Sequence, residues 1–142
     1  MTAGSLAAGR VADSALGRRL AAHWHRVALA GVLALASALD FVRLDRNGWA
    51  NDYYSAAVRS MLRSWHNFLF ASFDPGGLVS VDKPPLALWV EAASAKLFGY
   101  SGVAILLPEA LAGVAAVWLL YLLVARYFGH VAGLLSALAL AV

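Results

Sequence analysis

At 142 residues, 62% of them hydrophobic and only 13% charged, with a mean hydropathy of +0.72, the chain carries more apolar surface than a small soluble domain can bury. An ordinary soluble enzyme is excluded, and a membrane-embedded protein becomes the default. The formal charge of +3 decides little, because the basic residues are unevenly placed, and the lack of cysteine removes disulfides, thiolate metal sites and thiol nucleophiles.

Residues 1–22 are small, polar and basic, with Arg10, Arg18 and Arg19 among Ala, Gly and Ser. A poorly ordered cytoplasmic leader is expected. The His23/His25 pair that follows is better explained by interfacial solvation than by a metal. Arg26 abuts an apolar run that reaches Leu44, a span of about 18 residues (25–44) near the lower limit for a bilayer core of about 30 Å. Asp40 and Arg43 stand one helical turn apart at its far end, where they can pair and reach toward the interface. The basic start, apolar core and Ala36-Ser37-Ala38 also fit a cleavable secretory signal. The apolar segments further on favour an uncleaved signal-anchor, and either reading sends the following loop outside.

The loop at 45–83 holds most of the charged and aromatic residues. From Asp52 to Phe70 the pattern is helical: Tyr54, Val58, Met61, Leu62, Trp65 and Leu69 fall on one face, and Asp52, Ser55, Arg59, Arg63 and His66 on the other. This describes an amphipathic helix flat on the membrane surface; a helix packed against the rest of an external domain is the alternative. Ser72 to Gly77 reads as a turn. Pro84 or Pro85 suits the first turn of a new helix to Phe98. Gly99 to Gly102 ends it, 103–124 spans comfortably, and Arg126 to His130 connects to a last apolar run, 131–142. Twelve apolar residues cannot cross a bilayer, so the sequence reads as the start of a longer protein, inactive by itself. Counting 84–98 as a span puts Arg126 outside, against the positive-inside trend; an interfacial or re-entrant 84–98 would return it to the cytoplasm.

Lys83 before two prolines is the most informative local feature. A helix N-terminus presents unpaired N–H groups and partial positive charge, and a lysine there makes a cradle for a lipid phosphate. Equally, Asp82 could be a plain N-cap and Lys83 a plain interfacial cation. Asp52 opens the amphipathic helix, where a carboxylate is either a favourable first-turn charge or a general base over a membrane cavity. Arg59 and Arg63 could pair phosphate oxygens or meet anionic head groups. Asp74-Pro75-Gly76 reads as turn chemistry. Glu91 and Glu109, inside apolar helices, call for a role or a buried partner. The sequence has no Gly-rich phosphate loop and no HExxH zinc motif.

Asn51-Asp52-Tyr53-Tyr54-Ser55-Ala56-Ala57-Val58-Arg59-Ser60-Met61, Ser64-Trp65-His66-Asn67-Phe68, and Val81-Asp82-Lys83-Pro84-Pro85-Leu86 with Trp89 and Leu97-Phe98-Gly99 together resemble the bacterial members of glycosyltransferase family 39. This is the dolichyl-phosphate-mannose protein mannosyltransferase-like group that includes the lipid A aminoarabinose transferases. The resemblance covers about residues 40–142, and its most specific part is the acidic-Lys-Pro-Pro motif after an aromatic external loop. It implies an all-α integral membrane protein, the N-terminal part of a GT-C type fold, whose first external loop carries a juxtamembrane amphipathic helix. By the same resemblance, an inverting transfer moves a mannose-like or other hexose or pentose from a polyprenyl-phosphate carrier to a lipid, glycan or protein acceptor outside a bacterial plasma membrane. Asp52 becomes the base, Lys83 the holder of the carrier phosphate, and Asp82 its support, with Arg59 and Tyr54 as further substrate-binding residues. No cofactor, metal or nucleic acid is implied. Against the aminoarabinose branch, Ala50 and Asn51 stand where the loop's acidic pair is found, so Asp52 is offset by one or two positions. A non-catalytic carrier-lipid transporter or assembly partner is the alternative.

Overall fold

The computed structural model describes residues 23–142; the leader expected at 1–22 lies outside the described residues. They form helices joined by turns: α1 (His23–Phe41), a 3-10 turn (Leu44–Asn47), α2 (Asp52–Met61), α3 (Trp65–Leu69), α4 (Leu86–Phe98) and α5 (Gly102–Ala141). Among the described residues, α1 and α5 are the helices long and apolar enough to cross a bilayer. Helix α4, with 13 residues, is about 20 Å long at 1.5 Å per residue, against a hydrocarbon core of about 30 Å. The described residues divide into two compact units, one of residues 23–36 with Val117–Val142, the other Ser37–Ala116.

In the first unit α5 is broken at Gly129, whose φ of 86° and ψ of 168° lie outside helical space. The chain reverses there: a Cβ on Gly133 would come within 2.8 Å of the Ala125 Cβ, so the limb after the break packs closely on the limb before it. The Tyr121 hydroxyl and His130 Nδ1, 3.0 Å apart, tie the two limbs, and His130 stacks on His25 with ring centres 4.0 Å apart. The connection expected over Arg126 to His130 therefore narrows to a single glycine. No group of three or more ligand-type side chains among the described residues could hold a metal.

In the second unit α2, α3 and α4 share one core of Ala57, Val58, Met61, Leu88, Ala92 and Ala95, with Val81 and Ile105. The helix expected from Asp52 to Phe70 is two helices. It breaks at Leu62-Arg63-Ser64, because the Ser64 hydroxyl accepts from Asn67 N at 3.1 Å and caps a new start. The apolar stripe of α2 is buried against α4, which is the packed alternative and not a face left for the membrane; Ser55, placed on the polar face, is buried too. Trp65 and Leu69, on α3, remain exposed.

The start of α5 shows how sequence sets packing. Pro108 has no N–H, so the carbonyl of Ala104 four residues back loses its helical donor. The buried Ser94 of α4 fills that place, its hydroxyl donating to Ala104 O at 2.5 Å. Gly102 lies so close to the preceding loop that a Cβ there would collide with the Gly48 carbonyl oxygen. The expected Asp40–Arg43 pair does not form: Arg43 is left-handed (φ 64°) as the chain leaves α1, and Asp40 lies against Gly113, whose added Cβ would meet its carboxylate at 2.7 Å.

Candidate functional site at the head of helix α4

The approach to Lys83 is built by a small antiparallel loop. Phe73 N donates to Val79 O at 2.8 Å and Val81 N to Ala71 O at 3.0 Å, around a Ser72–Ser80 bridge. Asp74 closes the tip, its Oδ1 accepting from Leu78 N at 2.9 Å and Val79 N at 2.6 Å. The Val79 amide above all, aided by those of Leu78 and Gly76 against some desolvation, holds the Asp74 carboxyl below its usual range. Asp74 is thus turn chemistry, as its sequence context reads. The loop is fixed to α2 and α3 by the buried Asn67, whose Nδ2 lies 3.3 Å from Ser60 O, 3.1 Å from Ser60 Oγ and 3.2 Å from Pro75 O. Ser60 Oγ in turn donates to Asp74 O at 2.8 Å.

Val81, at the end of this loop, is buried in the shared core. Asp82 and Lys83 then emerge into solvent, with side chains 67% and 60% exposed and a loose ion pair of 4.0 Å between them. Such an exposed pair is weak and leaves the ammonium available to a stronger anion. Asp82 does not cap α4: Pro85 occupies the cap position, with no side-chain hydrogen bond to the first-turn amides. The plain N-cap reading of Asp82 is therefore wrong. Just inside the helix, Trp89 Nε1 donates to Phe68 O at 2.7 Å and locks α4 to α3.

Asp52 opens α2, but the capping there belongs to Asn51, whose side chain accepts from Tyr53 N at 2.9 Å and Tyr54 N at 3.4 Å. The Asp52 carboxylate is exposed and makes no hydrogen bond or ion pair among the described residues. Tyr54 packs partly buried against the core, edge-on to Tyr53 at 5.3 Å. Arg59 stands over the Tyr100 ring, 5.6 Å from its centre. Asp52, Tyr54 and Arg59 thus share one helix seated on the core that also carries Val81, but Asp52 and Lys83 form no ion pair.

Several positioning residues escape a reading of the sequence. Tyr100 donates to Ser55 O at 2.8 Å and stacks on Trp49 at 4.7 Å, tying the turn after α4 to the start of the loop. Its only sequence signal is an aromatic between two turn glycines. Asn67 had none beyond lying three residues after a Ser. Glu91 is buried, with the Glu109 carboxyl as its neighbour, so the two acids that the sequence singles out face each other.

Residues 82–142 match the family model for dolichyl-phosphate-mannose-protein mannosyltransferase. The chain is 46% identical over 114 residues to "Putative mannosyltransferase YycA" and 43% identical over 111 residues to "Putative mannosyltransferase YkcB", both of Bacillus subtilis (strain 168). These alignments cover 80% and 78% of the chain but only 17% and 16% of the relatives' lengths. No solved structure matches the chain.

Proposed function

The chain is a relative of the dolichyl-phosphate-mannose-protein mannosyltransferase family, and from that premise we propose that it is the part of a membrane glycosyltransferase that grips the phosphate of a polyprenyl-phosphate-linked sugar. The observation that carries this reading is the exposed Lys83, loosely paired, two residues before a proline-started helix whose first-turn amides have no side-chain cap. Ammonium and helix N-terminus add positive potential at one place, which suits a phosphate.

In the proposed reaction, an acceptor hydroxyl attacks the anomeric carbon from the face opposite the phosphate. The new C–O bond forms as the bond from carbon to phosphate oxygen breaks, so the configuration inverts. The hydroxyl proton passes to the Asp52 carboxylate, and the electron pair of the broken bond leaves with the carrier phosphate. Charge grows on phosphate oxygen in the transition state, where preplaced positive groups lower the barrier. Asp82 keeps Lys83 oriented, while Arg59 and Tyr54 line the acceptor side. The protein sits in a bacterial plasma membrane as a multi-pass protein, with the Asp52-to-Lys83 loop outside.

The test is transfer from a radiolabelled polyprenyl-phosphate sugar by the protein as its host encodes it, reconstituted in vesicles. Lys83→Ala should lower transfer about 100-fold, the scale of losing one charge-stabilising donor, with membrane insertion intact. Asp52→Asn should reduce turnover more than carrier binding. Near-normal transfer by the Lys83 variant would refute the phosphate role, and equal loss of turnover and binding in the Asp52 variant would refute the base.

A further inference from the structure

A second site lies away from Asp52 and Lys83, neither of which lines it. Between α2, α3 and α4 runs a groove of about 370 Å³, within the range of small-ligand sites. Its walls are Met61, Leu62, Trp65, Phe68, Ala92 and Ala93, and the two charged side chains lining it are Arg63 and Lys96. No carboxylate lines the groove, and neither cation forms an ion pair among the described residues. Two like charges on the lining of an apolar trough lack compensation, which an anion bound there would supply.

We propose that this groove seats an anionic phospholipid, with its phosphate between Arg63 and Lys96 and the upper part of its acyl chains along the apolar wall. The wall is preformed. Phe68 is held by the Trp89 hydrogen bond to its carbonyl and by stacking of the two rings at 6.3 Å, and the alanines of α4 give the trough its depth. Trp65, 75% exposed at the edge, is the amphipathic ring expected at head-group level. Leu69 and Phe70, both exposed in the same short segment, extend the apolar surface that the tails would cover. A zwitterionic lipid would bring its own cation to a site that already has two and offers no carboxylate.

The experiment uses Trp65 as the reporter. The full-length protein is placed in nanodiscs of phosphatidylcholine with increasing phosphatidylglycerol carrying brominated acyl chains, and the Trp65 signal is isolated by difference from Trp65→Phe. At about fivefold per cation near an anionic head group, half-quenching should need about 30-fold less brominated phosphatidylglycerol than brominated phosphatidylcholine. Arg63→Gln with Lys96→Gln should erase that preference with an unchanged melting profile. Ala93→Leu, which fills the trough and keeps both charges, should weaken quenching as well, and it alone decides the matter if the double variant does not fold. Four results would overturn the proposal: equal quenching by both lipids, a preference that survives loss of both cations, no Trp65 quenching because another segment of the protein covers the groove, or displacement of phosphatidylglycerol by polyprenyl phosphate, which would make the groove part of the donor site.

Discussion

Removing one hydroxyl should expose how α4 is held, because Ser94 serves a carbonyl that Pro108 has left without a donor. In Ser94→Ala the Ala104 carbonyl, belonging to a buried residue, loses its partner, at a cost of about 1–3 kcal/mol. In Pro108→Ala the helix regains its own N–H donor to Ala104, so the same Ser94→Ala change should cost less than about 0.5 kcal/mol, near the limit for independent sites. The double-mutant cycle should therefore show a coupling of about 0.5–3 kcal/mol between two residues on different helices. Reversible unfolding by SDS in mixed micelles measures all four species. Equal costs for Ser94→Ala in both backgrounds would show that the hydroxyl does not compensate the proline. A Pro108→Ala variant less stable than the parent would point the same way, since a helix interior gains about 3 kcal/mol when alanine replaces proline.

The same titration should find Gly102→Ala destabilised by about 1–3 kcal/mol or more, because its Cβ would stand on the Gly48 backbone; Gly31→Ala, with nothing near its Cβ, should be neutral or stabilising by about 0.5–1 kcal/mol. The turn at Asp74 should be pH-dependent. Its folded carboxyl titrates below the unfolded value of about 3.9, so its contribution is complete above that pH and is lost as pH falls through the folded value. Hydrogen exchange at the Leu78 and Val79 amides should quicken in that acid window, and Asp74→Asn should remove the pH dependence. Asp82→Asn should change transfer less than about threefold, as expected for an exposed pair worth about 0–1 kcal/mol, whereas Lys83→Met should match the Lys83→Ala loss; a large Asp82 effect would move the burden of phosphate binding onto the pair.

Membrane character, the turn at Gly99 to Gly102, the break near Gly129 and the helix starting behind two prolines are all legible in sequence, because hydropathy, glycine and proline act locally. The division of the stretch 52–70 into α2 and α3 is not. Its helical phase is continuous, and only Ser64, a capping residue three places before Asn67, hints at a restart. Hydrophobic period also failed to say what covers the apolar face: Val58 and Met61 are buried by α4 while Trp65 and Leu69 are left exposed, a distinction that depends on a neighbour some thirty residues away. Lys96, which completes the groove with Arg63, gives no local signal at all. Lys83 could be singled out because its proposed role rests on its immediate neighbours.

The offset of Asp52 that the resemblance implies has a physical counterpart. A carboxylate at a helix start is normally consumed by capping, and a capping carboxylate is poorly placed to take a proton from a substrate. Here Asn51 does the capping, accepting from both Tyr53 N and Tyr54 N, so the adjacent Asp52 keeps its carboxylate oxygens uncommitted. The Lys83 side shows the complementary arrangement. Its residue lies between two anchors, Val81 in the core and Trp89 tied to Phe68, and the two prolines restrict the backbone that follows. One group is freed by its neighbour and the other is held by its neighbours. For the proposed roles, this leaves Asp52 free to reach an acceptor hydroxyl, while the backbone bearing Lys83 is fixed and its exposed ammonium is free to close on a phosphate.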